Sequence, residues 1–340
     1  MQIYKFNSIL KPVLWGGDKI VTFKRLPATS EPIGESWELS ALPGRESVVT
    51  VEGKDCGLTL SQLVERYGPD LVGEDAYRRY GSQFPLLIKV IDARRDLSVQ
   101  VHPDDEMALR RHGSKGKNEM WYILHTDDGA VIRAGFNSTV PIEEYDRRLA
   151  DGSLSDVINA VSSRQGDVFF IPAGQIHSIG AGNLLVEIQQ SSDITYRVWD
   201  YDRRDADGNL RQLHVKEARE ALDFDARKCQ VCDFPTIGDG MKRLVKCPVF
   251  EVNQLDFVDC YTLELPQPHS FVAMFCVSGG ITLHVEGMPA QSIHQGELAL
   301  VPAIVDRVEM TGKAALLLTT VPAENCGHAK ARPYQPKTEN

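Results

Sequence analysis

Gly166-Asp-Val-Phe-Phe-Ile-Pro-Ala-Gly-Gln-Ile-His177 is the stretch from which the architecture is read. A glycine turn and an acid lead into an apolar run that reads as a strand. Pro172 ends the strand, because proline has no N–H to give a ladder. The first eight residues recur as Gly296-Glu-Leu-Ala-Leu-Val-Pro-Ala303. Each copy follows earlier strands with glycine turns. One unit repeated about 130 residues apart predicts two related β-sandwiches rather than an array of small repeats.

Upstream, Leu97-Ser-Val-Gln-Val-His-Pro103 alternates apolar and polar residues with the two-residue period of a half-buried strand. Ser98, Gln100 and His102 therefore share one face. A hydroxyl, an amide and an imidazole on a rigid strand suit a metal and substrate floor. A lone histidine on such a face is more often structural than ligating, so a ligand role for His102 needs partners from elsewhere in the chain. Asn118-Glu119-Met-Trp-Tyr-Ile-Leu124 opens another strand, and Leu184-Leu-Val-Glu-Ile-Gln189 sets Glu187 and Gln189 opposite Val186 and Ile188. The two copies differ at these positions. His177 lies eleven residues after Gly166, whereas Arg307 stands eleven after Gly296. The strand from Phe271 to Val277 carries Val272 about where the first copy has Glu119. The second unit is therefore expected to lack a metal site and to be structural, burying one face of the first.

The rest of the chain reads as strands with a few short helices. Gly34 to Ser40 and Pro85 to Ile91 are expected strands. Helical spacing occurs in Leu58 to Tyr67, with Thr59 or Ser61 as its cap, in Asp104 to Leu109, in residues 141–158 and in Val215 to Leu222. Asp104, Asp105 and Glu106 resemble metal ligands, but they read as helix-capping and dipole-matching residues. Residues 70–84 are expected to be a polar connection. Domains are placed at 1–235 (metal-binding and catalytic) and 236–322 (a degenerate relative of it), followed by a tail at 323–340.

Composition limits the function classes. A formal net charge of −10 over 340 residues argues against nucleic-acid binding, since nothing offsets phosphate repulsion. No run of about 18 apolar residues is present, so no membrane span is expected. The opening Met-Gln-Ile-Tyr-Lys-Phe has neither a basic nor an apolar leader segment, so a cytoplasmic protein is expected. Seven irregularly spaced cysteines are expected to be reduced and structural, and Cys229 with Cys232 makes a C-x-x-C without a matching second pair.

The pattern ending in Ile171-Pro-Ala-Gly-Gln-Ile-His177 resembles the cupin superfamily. Together with Lys89 through Asp105, Lys117-Asn-Glu-Met-Trp-Tyr122 and Glu187-Ile-Gln-Gln-Ser-Ser-Asp-Ile-Thr-Tyr-Arg197, it is similar to class I mannose-6-phosphate isomerase in its short bacterial form. The resemblance covers most of residues 1–210, with four separated motifs in order. It implies an all-β protein of two cupin-type (jelly-roll) units with a few short helices. It also implies one zinc ion per chain on Gln100, His102, Glu119 and His177. The implied reaction interconverts mannose 6-phosphate and fructose 6-phosphate through a cis-enediol. Lys117, Glu187 and Arg197 are then candidates for the chemistry, and Ser98 and Arg203 for holding sugar or phosphate. His112, His125 and His214 have no such support. The competing readings are a non-catalytic cupin that binds sugar phosphates, an isomerase of a related phosphosugar, and a cupin oxygenase. The last would call for iron in a histidine-richer cage. The expected partner is a small phosphosugar, with no nucleic acid and no membrane.

Overall fold

The computed structural model describes residues 1–204, 207–227, 232, 236–237, 240–265, 267 and 269–323. Cys229 and all but the first residue of the expected tail lie outside the described residues. The architecture is mostly β, in three large sheets and a two-stranded ribbon (Ala41–Leu42 with Arg45–Glu46) with short helices, as the cupin-type reading anticipates.

A five-stranded sheet runs in the order Ile158–Ser162, Val131–Phe136, His177–Ile179, Val99–Val101, Tyr196–Trp199. A six-stranded sheet faces it, in the order Val168–Ile171, Glu119–Thr126, Asn183–Gln190, Leu86–Asp92, Ile33–Leu39, Ile9–Gly17. The third sheet has eight strands, three of them long: Glu251–Glu264, Val272–His284 and Arg307–Thr320. Its edge is the N-terminal Tyr4–Lys5, which pairs with Leu300 and Ala299 and so fastens the start of the chain onto the second unit.

Strand parity determines which residues meet. In the six-stranded sheet Ile88, Val90, Met120, Tyr122, Val186 and Ile188 share a core with Ala273, Phe275, Leu300 and Leu317 of the third sheet. The opposite parity, including Ile91, Trp121, Ile123 and Leu185, packs against Ile132, Ala134 and Ile179 of the five-stranded sheet. Both faces are covered, which is why Leu86–Asp92 is buried along its whole length. In the third sheet Val272, Met274 and Cys276 belong to that sheet's own core, while Ala273, Phe275 and Val277 join the shared one. The third sheet thus buries one face of the six-stranded sheet. Its Pro-Ala turn serves docking: the Ala303 and Ile304 N–H groups donate to the Leu71 and Asp70 carbonyls. Phe84 and Phe271 join the units with ring centroids 4.6 Å apart. Phe271→Ala is expected to cost about 3–5 kcal/mol in a urea titration. A loss below about 1 kcal/mol would show that the units do not share this core.

The helices differ from expectation in two places. Residues 70–84, read as a polar connection, hold the helices Pro69–Val72 and Glu74–Tyr80, whose Leu71, Val72 and Ala76 are buried in the shared core. Tertiary burial there outweighs a polar local composition. The stretch 141–158 is not one helix: Ile142–Asp151 ends at Gly152, whose φ of 76° is left-handed. A short 3₁₀ turn, Leu154–Val157, then leads into the strand that begins at Ile158. The helix Leu60–Tyr67 carries a complete capping box from Thr59 and Gln62. Asp104 caps Asp105–His112 by accepting from the Met107 N–H, so this carboxylate is a cap, as read.

Candidate functional site

The polar residues on the inner parity of the first unit converge. Across the six-stranded sheet Glu187 stands opposite Lys89 and Trp121, and Gln189 opposite Glu119. Across the five-stranded sheet Gln100 stands between His177 and Arg197. His177 reaches its strand through a turn in which Gly174 adopts φ +82° and donates its N–H to the His102 carbonyl at 2.9 Å. That contact ties the two histidine-bearing segments together.

His102, Glu119 and His177 are buried, and one ligand atom from each lies within 4.8 Å of the others. The Nδ1 of His102 is 2.9 Å from the Ile194 carbonyl and that of His177 is 2.8 Å from the Gln175 carbonyl. Such contacts fix Nδ1 as the protonated nitrogen and leave each Nε2 lone pair facing inward. His102 Nε2 is 3.3 Å from Glu119 Oε2, and His177 Nε2 is 3.4 Å from Glu119 Oε1. Two of these atoms, Glu119 Oε1 and His177 Nε2, are fully buried with no hydrogen-bond partner. Buried polar atoms are rarely left so, and here they point at one another's vicinity. Two imidazole nitrogens and a carboxylate oxygen fit a borderline divalent metal ion. Gln100 lies half-buried beside them on the cavity wall.

The electrostatics suit the same use. Burial, reinforced by the Lys117 charge, lowers the His102 imidazole to about 4, and burial likewise lowers His177. Both rings are therefore neutral, as a metal ligand must be. Burial alone would raise the Glu119 carboxyl, but the Lys117 charge outweighs it and holds the group well below its ordinary value. Lys117 Nζ lies 2.9 Å from His102 Nε2 and pairs with Glu119. Lys117 is also 3.8 Å from Glu187, whose carboxylate pairs with Lys89 and accepts from Trp121 Nε1 at 3.1 Å.

A cavity of about 390 Å³ opens beside this group. Its walls include Trp15, Glu35, Lys89, Ser98, Gln100, Lys117, Glu187, Thr195, Arg197 and Arg211. The volume suits a small ligand, and the walls mix an apolar floor with convergent charges. Of the residues singled out in the sequence, Ser98, Gln100, Lys117, Glu187 and Arg197 line it, and the metal-ligand group sits at its side. Arg203 does not. Its guanidinium pairs with the Asp200 carboxylate and also donates to the Asp200 and Asp96 carbonyls, which locks the loop to its neighbour. Removing it in Arg203→Ala is expected to cost about 2 kcal/mol of stability, read as a lowered midpoint of unfolding, with KM little changed. A large rise in KM at unchanged stability would return Arg203 to the substrate.

Glu35, Lys89 and Arg211 were not selected from the sequence. A lysine inside the apolar run Leu86–Asp92 was the available signal for Lys89, since a buried lysine needs a partner. Burial would lower its pKa, but Glu187 and Glu35 reverse that and raise it. His125 is exposed and pairs with Asp127, while His112 bonds Tyr196 Oη at 2.8 Å, away from the metal-ligand group.

The family model described as phosphomannose isomerase type I, catalytic domain, matches residues 3–133. The chain is similar to mannose-6-phosphate isomerase ManA of Bacillus subtilis (strain 168), with 33% identity over 92% of this chain and 97% of the relative. Among solved structures, the mannose 6-phosphate isomerase from Bacillus subtilis superposes with a TM-score of 0.84 at 28% identity, covering 94% of this chain and 99% of that one. A mannose 6-phosphate isomerase solved bound with zinc and yttrium has the same fold, with a TM-score of 0.76 at 16% identity over 94% of this chain and all of that one.

Proposed function

The chain belongs to the type I phosphomannose isomerases, and from that premise we propose that it interconverts D-mannose 6-phosphate and D-fructose 6-phosphate through a cis-enediol. The observation that carries this reading is the convergence of His102, Glu119 and His177 beside a cavity walled by Lys117, Glu187 and Arg197. We assign zinc to these three ligands with Gln100 as the fourth. The neutral imidazoles, the ionised carboxylate and the two partnerless buried atoms fit such an ion. When bound, zinc supplies Lewis-acid polarisation of a substrate oxygen.

The remaining work falls to side chains of the chain itself. Interconversion moves one proton between C2 and C1 and a second between the oxygens on those carbons. This needs a group to take the carbon-bound proton and another to hold the developing oxyanion until it receives the hydroxyl proton. Lys117 and Glu187 stand 3.8 Å apart on the cavity wall, so a proton leaving C2 has an acceptor from that pair and can return to C1. The electron pair released from the C2–H bond becomes the enediol double bond, and negative charge collects on the former carbonyl oxygen. Arg197 is fitted to stabilise that charge: its Nη1 is held by the Gln212 carbonyl at 2.7 Å, while its buried Nε has no partner. A guanidinium is a fixed cation and poorly suited to removing a proton. Ser98, with its hydroxyl 3.4 Å from the Gln100 amide oxygen, is placed to meet a sugar hydroxyl.

The deciding experiment is a coupled assay of mannose 6-phosphate isomerisation, with and without chelator and added zinc. Activity lost to chelation and restored by zinc is the expected result. Binding of the sugar phosphate without turnover under all conditions would reject the reading in favour of a binding cupin.

A further inference from the structure

We infer that Arg211 is the residue that grips the phosphate of the substrate and that Asp200 positions it. This rests on the phosphosugar reading above and adds the subsite that reading leaves open. A sugar phosphate brings a dianion, so its cavity needs a cation whose donors are not already engaged. Four cationic side chains line the cavity: Lys89, Lys117, Arg197 and Arg211. Lys89 is committed to Glu187, and Lys117 to Glu119 and His102. Arg197 gives Nη1 to the Gln212 carbonyl. Among the described residues Arg211 has one ion-pair partner, with its Nε 3.4 Å from Asp200 Oδ2, and the Glu35 carboxylate acts on it only from further away.

Asp200 sits between two arginines and divides its carboxylate. Oδ1 pairs with Arg203, while Oδ2 is buried, lacks a hydrogen-bond partner and has the Arg211 Nε at ion-pair distance. With Asp200 on its Nε side, the guanidinium that lines the cavity keeps its two terminal nitrogens for a ligand, and such a fork can meet two phosphate oxygens at once. The backbone brings Arg211 to this place. The His214 N–H donates to the Arg197 carbonyl at 2.8 Å, and the Gln212 carbonyl accepts from Arg197, so residues 211–214 run alongside the strand that carries Arg197. Two half-buried guanidiniums are thereby set side by side on one wall. Burial lowers the pKa of each against the pull of Asp200, with Arg211 and Arg203 adding to the effect on Arg197 and Arg203 to that on Arg211, a strain that a dianion relieves.

The test is steady-state kinetics on Arg211→Ala, Arg211→Lys and Asp200→Asn, with inorganic phosphate as a competitive inhibitor and as a calorimetric titrant. Arg211→Ala should raise KM for mannose 6-phosphate about 10- to 100-fold with kcat within about threefold, as expected for lost uniform binding to a charged group. The inhibition constant of phosphate should rise in parallel, Arg211→Lys should recover part of the loss, and Asp200→Asn should raise KM by a smaller factor. Unchanged KM and unchanged phosphate affinity in Arg211→Ala, or a fall in kcat alone, would overturn the assignment. If the alanine variant fails to fold, Arg211→Gln keeps the stem and takes its place. An inactive wild-type protein would reject the isomerase reading, while phosphate calorimetry would still decide whether Arg211 holds the anion.

Discussion

A His102→Ala, His177→Ala double variant is expected to purify as a folded protein that holds no metal and has lost activity by about 10³-fold or more. The size follows from removing several kcal/mol of Lewis-acid stabilisation, at about 1.4 kcal/mol per tenfold in rate. The fold should survive, because Glu119 keeps Lys117 as an ion-pair partner and is not left as an isolated buried charge. Two vacated imidazole sites still leave cavities, so some loss of thermal stability accompanies the change. His284→Ala and His294→Ala serve as controls. Both residues lie exposed in the second unit, whose sheet brings no carboxylate and histidine group together among the described residues. The measurements are metal content by elemental analysis, kcat, and the unfolding midpoint. Stoichiometric zinc in the double variant would overturn the ligand assignment.

Arg197→Ala should leave the metal and the fold in place and lower kcat by about 10²–10³, the usual loss on removing one preorganised donor to a developing oxyanion. Its side chain anchors little else. The one hydrogen bond described for its guanidinium goes to the Gln212 carbonyl, in a polar segment at the cavity wall. Arg197→Lys keeps the charge but not the planar fork, so it should recover only part of the rate. The contrast with Arg211 is diagnostic, because one substitution should act on kcat and its neighbour on KM. Near-normal kcat in a fully metallated Arg197→Ala protein would remove Arg197 from the chemical step.

The strands of the site were legible because parity is a local property. In Leu97–Pro103 each second residue must face the same way, so Ser98, Gln100 and His102 were readable as a set from seven letters. The same rule marked Glu187 as facing away from Val186 and Ile188, and the recurrence of Gly-acid-apolar-Pro-Ala was the ground for expecting a second unit. The divergence at Arg307 and Val272 showed that this unit lacks the ligand pattern of the first. The ligand set came from the resemblance of four motifs. Its three histidine and carboxylate members are brought together from two strands and from the residue just past a third, none of them neighbours in sequence.

What only the tertiary structure decided lies in the loops and in the doubly covered sheet. Arg197 and Arg203 stand in the polar run from Ser191 to Asp207 with Arg211 just beyond it, and nothing in their spacing says which reaches the cavity. Arg203 is captured by Asp200 and by the carbonyl of Asp96, a partner 107 residues away, whereas Arg211 is left with one side of Asp200. Helices Pro69–Val72 and Glu74–Tyr80 form where the local composition is polar, because the second unit offers Leu71 and Ala76 a shared core. Lys89 is tolerated in an apolar strand because Glu187 faces it across the ladder. The sequence alone determines the direction of a strand side chain, through a backbone that alternates by geometry. The direction of a loop side chain, and the worth of a buried charge, depend on partners that the chain meets only after folding.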